Sequence, residues 1–70
     1  MQELKIEGEY IQLDKALKLG EIAQTGGHAK ILILEGEVKV NGEVELRRGK
    51  KLRDGDIVEI DGEKIMIKGI

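Results

Sequence analysis

The spacing of apolar residues changes once along this chain, dividing it into a helical half and a β half. Leu13, Ala16 and Leu17 stand at i, i+3 and i+4, which predicts a short first helix closed by Gly20. After the link "EIAQ", Thr25 is a suitable N-cap, and Ala29, Leu32 and Ile33 repeat the helical spacing until Gly36 stops it. Ile31 and Leu34 widen the apolar surface of this second helix. It is therefore expected to be covered on more than one side, by the first helix and by a sheet.

From Val38 onward the period is two, and "VKVNGEVEL" and "DIVEIDGEKIMI" each hold a turn dipeptide between alternating residues, which predicts two hairpins. In the second, a two-residue Asp61-Gly62 turn sets Val58 opposite Ile65 and puts Val58, Ile60, Ile65 and Ile67 on one face. In the first, the same arithmetic sets Val40 against Glu43. Pairing Val40 with Val44 needs one extra loop residue, so a bulge beside Asn41-Gly42 is expected. Residues 4–7, "LKIE", add an N-terminal strand. The expected fold is α+β, two short helices packed on a small, mostly antiparallel sheet of about four to five strands, in a single domain spanning 1–70.

Composition narrows the chemistry. There is no cysteine and one histidine, which leaves neither disulfides nor the ligands of an ordinary zinc site, so no metal and no cofactor are expected. The longest apolar run, "ILIL", is too short to span a membrane, and "MQELKIEGEY" lacks the apolar stretch of a signal peptide; a cytoplasmic protein with no membrane partner is expected. Proline, phenylalanine and tryptophan are absent while isoleucine, lysine and glutamate abound, a bias toward thermal stability. The net charge of −2 argues against a nucleic-acid partner until its distribution is read. "RRGKKLR", residues 47–53, holds five cations and no acid, whereas Glu35, Glu37, Glu43 and Glu45 face only Lys39 in the stretch before it.

Candidate sites are few. "TGGHAK" is not a phosphate loop of the Walker kind, because no "GK[ST]" follows and no buried strand precedes it. Gly26 and Gly27 have two readings: they bare backbone N–H groups at the positive end of a helix, where an anion binds, or they let the two helices pack closely. His28 has no second histidine or cysteine to complete a site, and Asp54 and Asp56 flank Gly55 as turn residues. No nucleophile accompanies them, so no catalytic residue, no enzymatic activity and no small-molecule substrate are expected. Tyr10 is the only aromatic residue, so several unstacked bases cannot be lined up on rings.

The order of two short helices, "EGEVKVNG", a basic stretch and "GDIVEI" resembles the S4 RNA-binding domain family over roughly residues 11–60. The residues that carry the resemblance are Leu13-Asp14 opening the first helix, Thr25 opening the second, Ala29 and Lys30, then Gly36, Val38, Val40, Asn41, Gly42, Gly55 and Asp56. "TGGHAK" with "RRGKKL" is most similar to the small stand-alone branch of that family, the YaaA/YbcJ type. The resemblance implies an S4-like (αL-type) fold that binds structured RNA, ribosomal RNA as the partner class, through phosphate contacts. It implies a site built from Lys15, Lys18, Thr25, Gly26, Gly27, Lys30, Lys39, Arg47, Arg48, Lys50, Lys51 and Arg53. Two arginines usual in the family are replaced, by Gln12 before Leu13-Asp14 and by Gly26 after Thr25. The rival reading takes those losses at face value: an S4-like protein-interaction module that has lost RNA binding and uses its acidic hairpin instead.

Overall fold

The computed structural model describes residues 1–69. The chain order is β1 (Gln2–Lys5), β2 (Ile11–Gln12), α1 (Leu13–Leu19), α2 (Gly26–Leu34), β3 (Lys39–Val40), β4 (Glu43–Val44), β5 (Lys51–Leu52), β6 (Ile57–Ile60) and β7 (Glu63–Lys68). Five strands form one sheet in the order β1-β7-β6-β3-β4, parallel only at β1–β7, and β2 pairs with β5 in a separate two-stranded ribbon. The two helices pack on one face of the large sheet over a core that includes Leu13, Leu17, Ile33, Leu52, Val58, Ile65 and Ile67. This is the expected α+β arrangement. The N-terminal strand lies two residues earlier than the sequence suggests, and its chain continues into the buried Ile6, whose N–H donates to the Lys68 carbonyl at 2.9 Å.

The second hairpin has the expected register, Val58 opposite Ile65, around a turn in which Asp61 and Gly62 both have positive φ (51° and 78°). The first hairpin has no bulge. Val40 pairs with Glu43 and Lys39 with Val44, through a two-residue turn with φ of 53° at Asn41 and 86° at Gly42. The expectation assumed that Val44 belongs to the core, but β4 is the edge strand and Val44 is 52% exposed, so no burial energy opposes the turn's own register. Asn41 then serves as a clamp. Its Oδ1 accepts from the Ile57 N–H (2.9 Å), its Nδ2 donates to Asp56 Oδ1 (3.1 Å), and Asp56 Oδ2 accepts from the Arg53 N–H (2.8 Å).

Helix ends follow a common design with one exchange of roles. At the end of α2 the N–H of Gly36 donates to Ile33 and that of Glu37 to Leu32, a Schellman motif with Gly36 left-handed at φ 77°. The end of α1 makes the same pair of bonds, Glu21 to Lys18 and Ile22 to Leu17, but the left-handed residue is Glu21 (φ 63°), not Gly20. Gly20 is a glycine for a different reason: a Cβ there would stand 2.6 Å from Ile65 Cδ1. It lets α1 close onto β7. The expectation that Ile31 and Leu34 are covered also fails, since they are 55% and 59% exposed. Ala29 and Ile33 are buried and Leu32 partly so, and that single stripe uses up the surface that α1 and the sheet offer.

Candidate nucleic-acid interface

The basic stretch 47–53 is held by its backbone. Helix α1 has no side-chain N-cap at Gln12; instead the carbonyls of Lys50 and Arg48 accept from the N–H groups of Leu13 (2.9 Å) and Asp14 (3.1 Å). The loop therefore caps the helix. Further along, Lys51 pairs with Gln12 and Leu52 with Ile11 in the β2–β5 ribbon, and Leu52 is fully buried. The Arg53 N–H is taken by Asp56, as above. Three anchors, the first turn of α1, the Leu52 side chain and the Asp56 carboxylate, thus fix a segment that is cationic at five of seven positions. Holding the backbone this way removes much of the ordering cost of a charged loop on binding.

The anchoring gathers charge. Arg47, Lys50, Lys51 and Arg53 line one shallow surface concavity whose remaining lining residue is Gly49. Arg48 is exposed beside it. Arg47 is engaged: its Nε and Nη2 donate to the two Glu45 carboxylate oxygens at 2.9 and 3.1 Å, and its backbone N–H donates to Oε2 at 3.0 Å. The fork of hydrogen bonds from Arg47 lowers the Glu45 pKa from 4.5 to about 2, and the carboxylate in turn raises that of Arg47. Glu45 therefore neutralises one of the five cations.

The other predicted residues fall into three places. Lys15 and Lys18 are exposed on α1, the helix that the basic loop caps, one turn apart and off the stripe of Leu13, Ala16 and Leu17. Thr25, Gly26, Gly27 and Lys30 are exposed on α2, and no hydrogen bond of the described residues ties them to the loop. Thr25 Oγ1 accepts from the His28 N–H at 3.0 Å, and His28 Nδ1 accepts from the Gln24 N–H at 3.3 Å, so the histidine helps to close the helix start. A Cβ at Gly26 would meet nothing within 4 Å, and one at Gly27 only Thr25 Oγ1 at 3.8 Å, which leaves the packing account of these glycines without a contact. Lys39 lies opposite Glu59 in β3–β6, next to the buried Val40, and so projects from the sheet face away from the helices. It is not brought to the loop.

Two members of this region escaped the sequence reading. Tyr10 sits among the cations, with Lys51 Nζ 4.8 Å and the Arg53 guanidinium carbon 5.7 Å from its ring centroid. The alternation of "YIQ" against "KLR" is the signal that finds it, once the two are known to pair. Glu45 is the other, visible only as a carboxylate two residues before Arg47.

An exposed basic loop clamped to the first turn of a helix, beside a "VNG…GD" lock between hairpins, fits the S4-like (αL-type) fold that the sequence resemblance implies, and comparison with known families agrees. The S4 domain model matches residues 4–68, and the chain belongs to the S4 domain family. Among its relatives, the probable ribosome maturation protein RlbA of Bacillus subtilis is 49% identical over 59 residues, covering 84% of this chain and 83% of that protein. The putative RNA-binding protein YbcJ of Escherichia coli is 38% identical over 58 residues, with 83% of each chain covered. The solution structure of YbcJ, described as revealing an αL motif involved in RNA-binding, superposes with a TM-score of 0.75 at 33% identity over 97% of this chain and 87% of that one.

Proposed function

We propose that this S4-domain protein binds structured RNA through phosphate contacts, and that ribosomal RNA is the RNA it meets. The observation that carries this reading is the concavity lined by Arg47, Lys50, Lys51 and Arg53 on a backbone held by α1, β2 and Asp56. Lys15 and Lys18 extend it along α1. The N-terminus of α2, bare at Gly26 and Gly27, offers N–H donors with Lys30 as a second phosphate contact, and Lys39 is left outside the site. The family and the names of its relatives, an RNA-binding protein and a ribosome maturation protein, support RNA over a protein partner. The role is one of binding, with no catalytic step, and a ribosomal partner places the protein in the cytoplasm.

A titration of hairpin RNA over a range of salt concentrations tests the contact model. With about four to six phosphates contacted, the log of the association constant should fall by about 3 to 5 per log unit of salt. An affinity indifferent to salt sinks it. Sequencing the RNA retained by the tagged protein tests the finer claim: fragments should gather at defined segments of ribosomal RNA, and a spread that follows transcript abundance removes the ribosomal partner.

A further inference from the structure

We infer that Tyr10 is a stacking seat for one unpaired base of the bound RNA, with Lys51 and Arg53 beside it holding the neighbouring phosphates; this rests on the phosphate-binding reading above. The ribbon geometry supplies the first argument. Ile11 and Leu52 are paired and buried, so the alternation of the two strands turns Tyr10, Gln12, Lys51 and Arg53 to the other side, away from the core. The only tyrosine ring in the chain thus stands, 41% exposed, on the side of the ribbon that carries the cations of the loop.

Charge and position supply the second. Lys51 Nζ and the Arg53 guanidinium carbon approach the ring to 4.8 and 5.7 Å. Arg53 is further placed by its backbone bond to Asp56 and by Nη1, which donates to the Glu9 carbonyl at 3.5 Å. Lys51 has an exposed, flexible side chain, so a base can displace its ammonium from the ring toward the phosphate backbone. Magnitudes favour the exchange. An exposed cation–π contact is worth about a two- to fivefold bias, whereas a base stacked on an aromatic side chain is worth about five- to 150-fold. One ring cannot read a single strand, but it suffices for one bulged or unpaired nucleotide in an otherwise paired RNA.

The chain carries its own reporter, because Tyr10 is the only tyrosine and there is no tryptophan. Two hairpins identical except for a single unpaired adenosine are titrated into the protein. Binding is read from the anisotropy of a labelled RNA and stacking from tyrosine emission corrected for RNA absorption. The bulged hairpin should bind about five- to 100-fold more tightly and quench the emission, while the fully paired one binds with a similar salt slope and little quenching. Tyr10→Leu should lose the preference for the bulge yet keep its affinity for the paired hairpin, and Tyr10→Phe should keep both. Binding of the two hairpins with equal affinity and no quenching overturns the base seat alone, as does an equal loss for both RNAs in Tyr10→Leu. Failure of both hairpins to bind overturns the phosphate-binding reading and this one with it.

Discussion

Glu45→Gln isolates one cation of the proposed interface without touching it. In the parent, the Glu45 carboxylate accepts three hydrogen bonds from Arg47, two of them from the guanidinium, and its side chain is only 14% exposed. A carboxylate held to a pKa of about 2 stays ionised at any pH used for binding, so Arg47 remains paired. Glutamine keeps the volume and removes the charge. Arg47, whose side chain is 72% exposed, is then free to meet a phosphate. One additional contact steepens the salt slope by about 0.7 to 0.9 and, at 0.1 M salt, raises the association constant about sixfold. Hairpin RNA titrated at several salt concentrations, with a thermal melt to confirm that the fold is kept, measures both quantities. Adding Arg47→Ala to the variant should return slope and affinity to parental values. An unchanged slope would show that Arg47 lies outside the interface, and a weaker affinity would show that Glu45 aims Arg47 at the RNA instead of withholding it. Either result refutes the reasoning.

Neutralising Arg48, Lys50 and Lys51 together should cut the salt slope by about two to three and, with the Glu45–Arg47 pair left in place, leave the melting temperature nearly unchanged; the same treatment of Lys5, Lys64 and Lys68 should do much less, and equal losses would disqualify the loop. Replacing Gly26 and Gly27 with alanine should firm α2 while weakening RNA binding, because the new methyl groups meet no protein atom closer than Thr25 Oγ1 at 3.8 Å but cover the first-turn N–H groups; Thr25→Ala, losing the cap to His28, should cost about 0.5 to 2 kcal/mol in urea denaturation. Gly20→Ala should destabilise by about 1 to 3 kcal/mol through the clash with Ile65, and Glu21→Gly should stabilise by up to about 1 kcal/mol by relieving a left-handed residue; were Gly20 the left-handed cap, the first change would still destabilise but the second would not stabilise in the same denaturation series. The folded pKa of Glu45 lies below its ordinary value, so the stabilisation from its pair with Arg47 is complete above pH 4.5 and is lost as pH falls toward about 2; melts across that window should show a smaller acid sensitivity in Glu45→Gln than in the parent.

What could be read from the sequence was whatever local chemistry decides. Asp61-Gly62 sets a two-residue turn and a register, and Thr25 caps the helix it precedes. Misreadings came where tertiary position overrides a local rule. Val44, Ile31 and Leu34 are apolar in the right phase to be buried, but they lie on an edge strand and on the uncovered side of a helix, where no further described element packs. Gly20 and Glu21 exchange roles because contact with Ile65, in a strand far along the chain, outranks the preference of a left-handed position for glycine. The strands Ile11–Gln12 and Lys51–Leu52 are too short to have a period at all. The capping of α1 by Arg48 and Lys50 carbonyls leaves no trace in side-chain identity.

Several residues that carry the resemblance build the frame: Asn41 and Asp56 form the hydrogen-bonded lock that also holds the Arg53 N–H, Gly42 and Gly55 take positive φ in the turns beside them, and Leu13 is fully buried. Such residues fix where the loop stands, whatever it contacts. The two usual arginines that are missing fall elsewhere, at the half-buried Gln12 and the exposed Gly26. Gln12 is paired directly with Lys51 across the β2–β5 ribbon, one residue from the Lys50 carbonyl that caps α1. The neutral Gln12 therefore adjoins the densest run of cations in the chain. Phosphate attraction depends on the local sum of charge more than on which strand bears it, so Lys50, Lys51 and Arg53 supply a positive field beside Gln12 although β2 itself carries no cation.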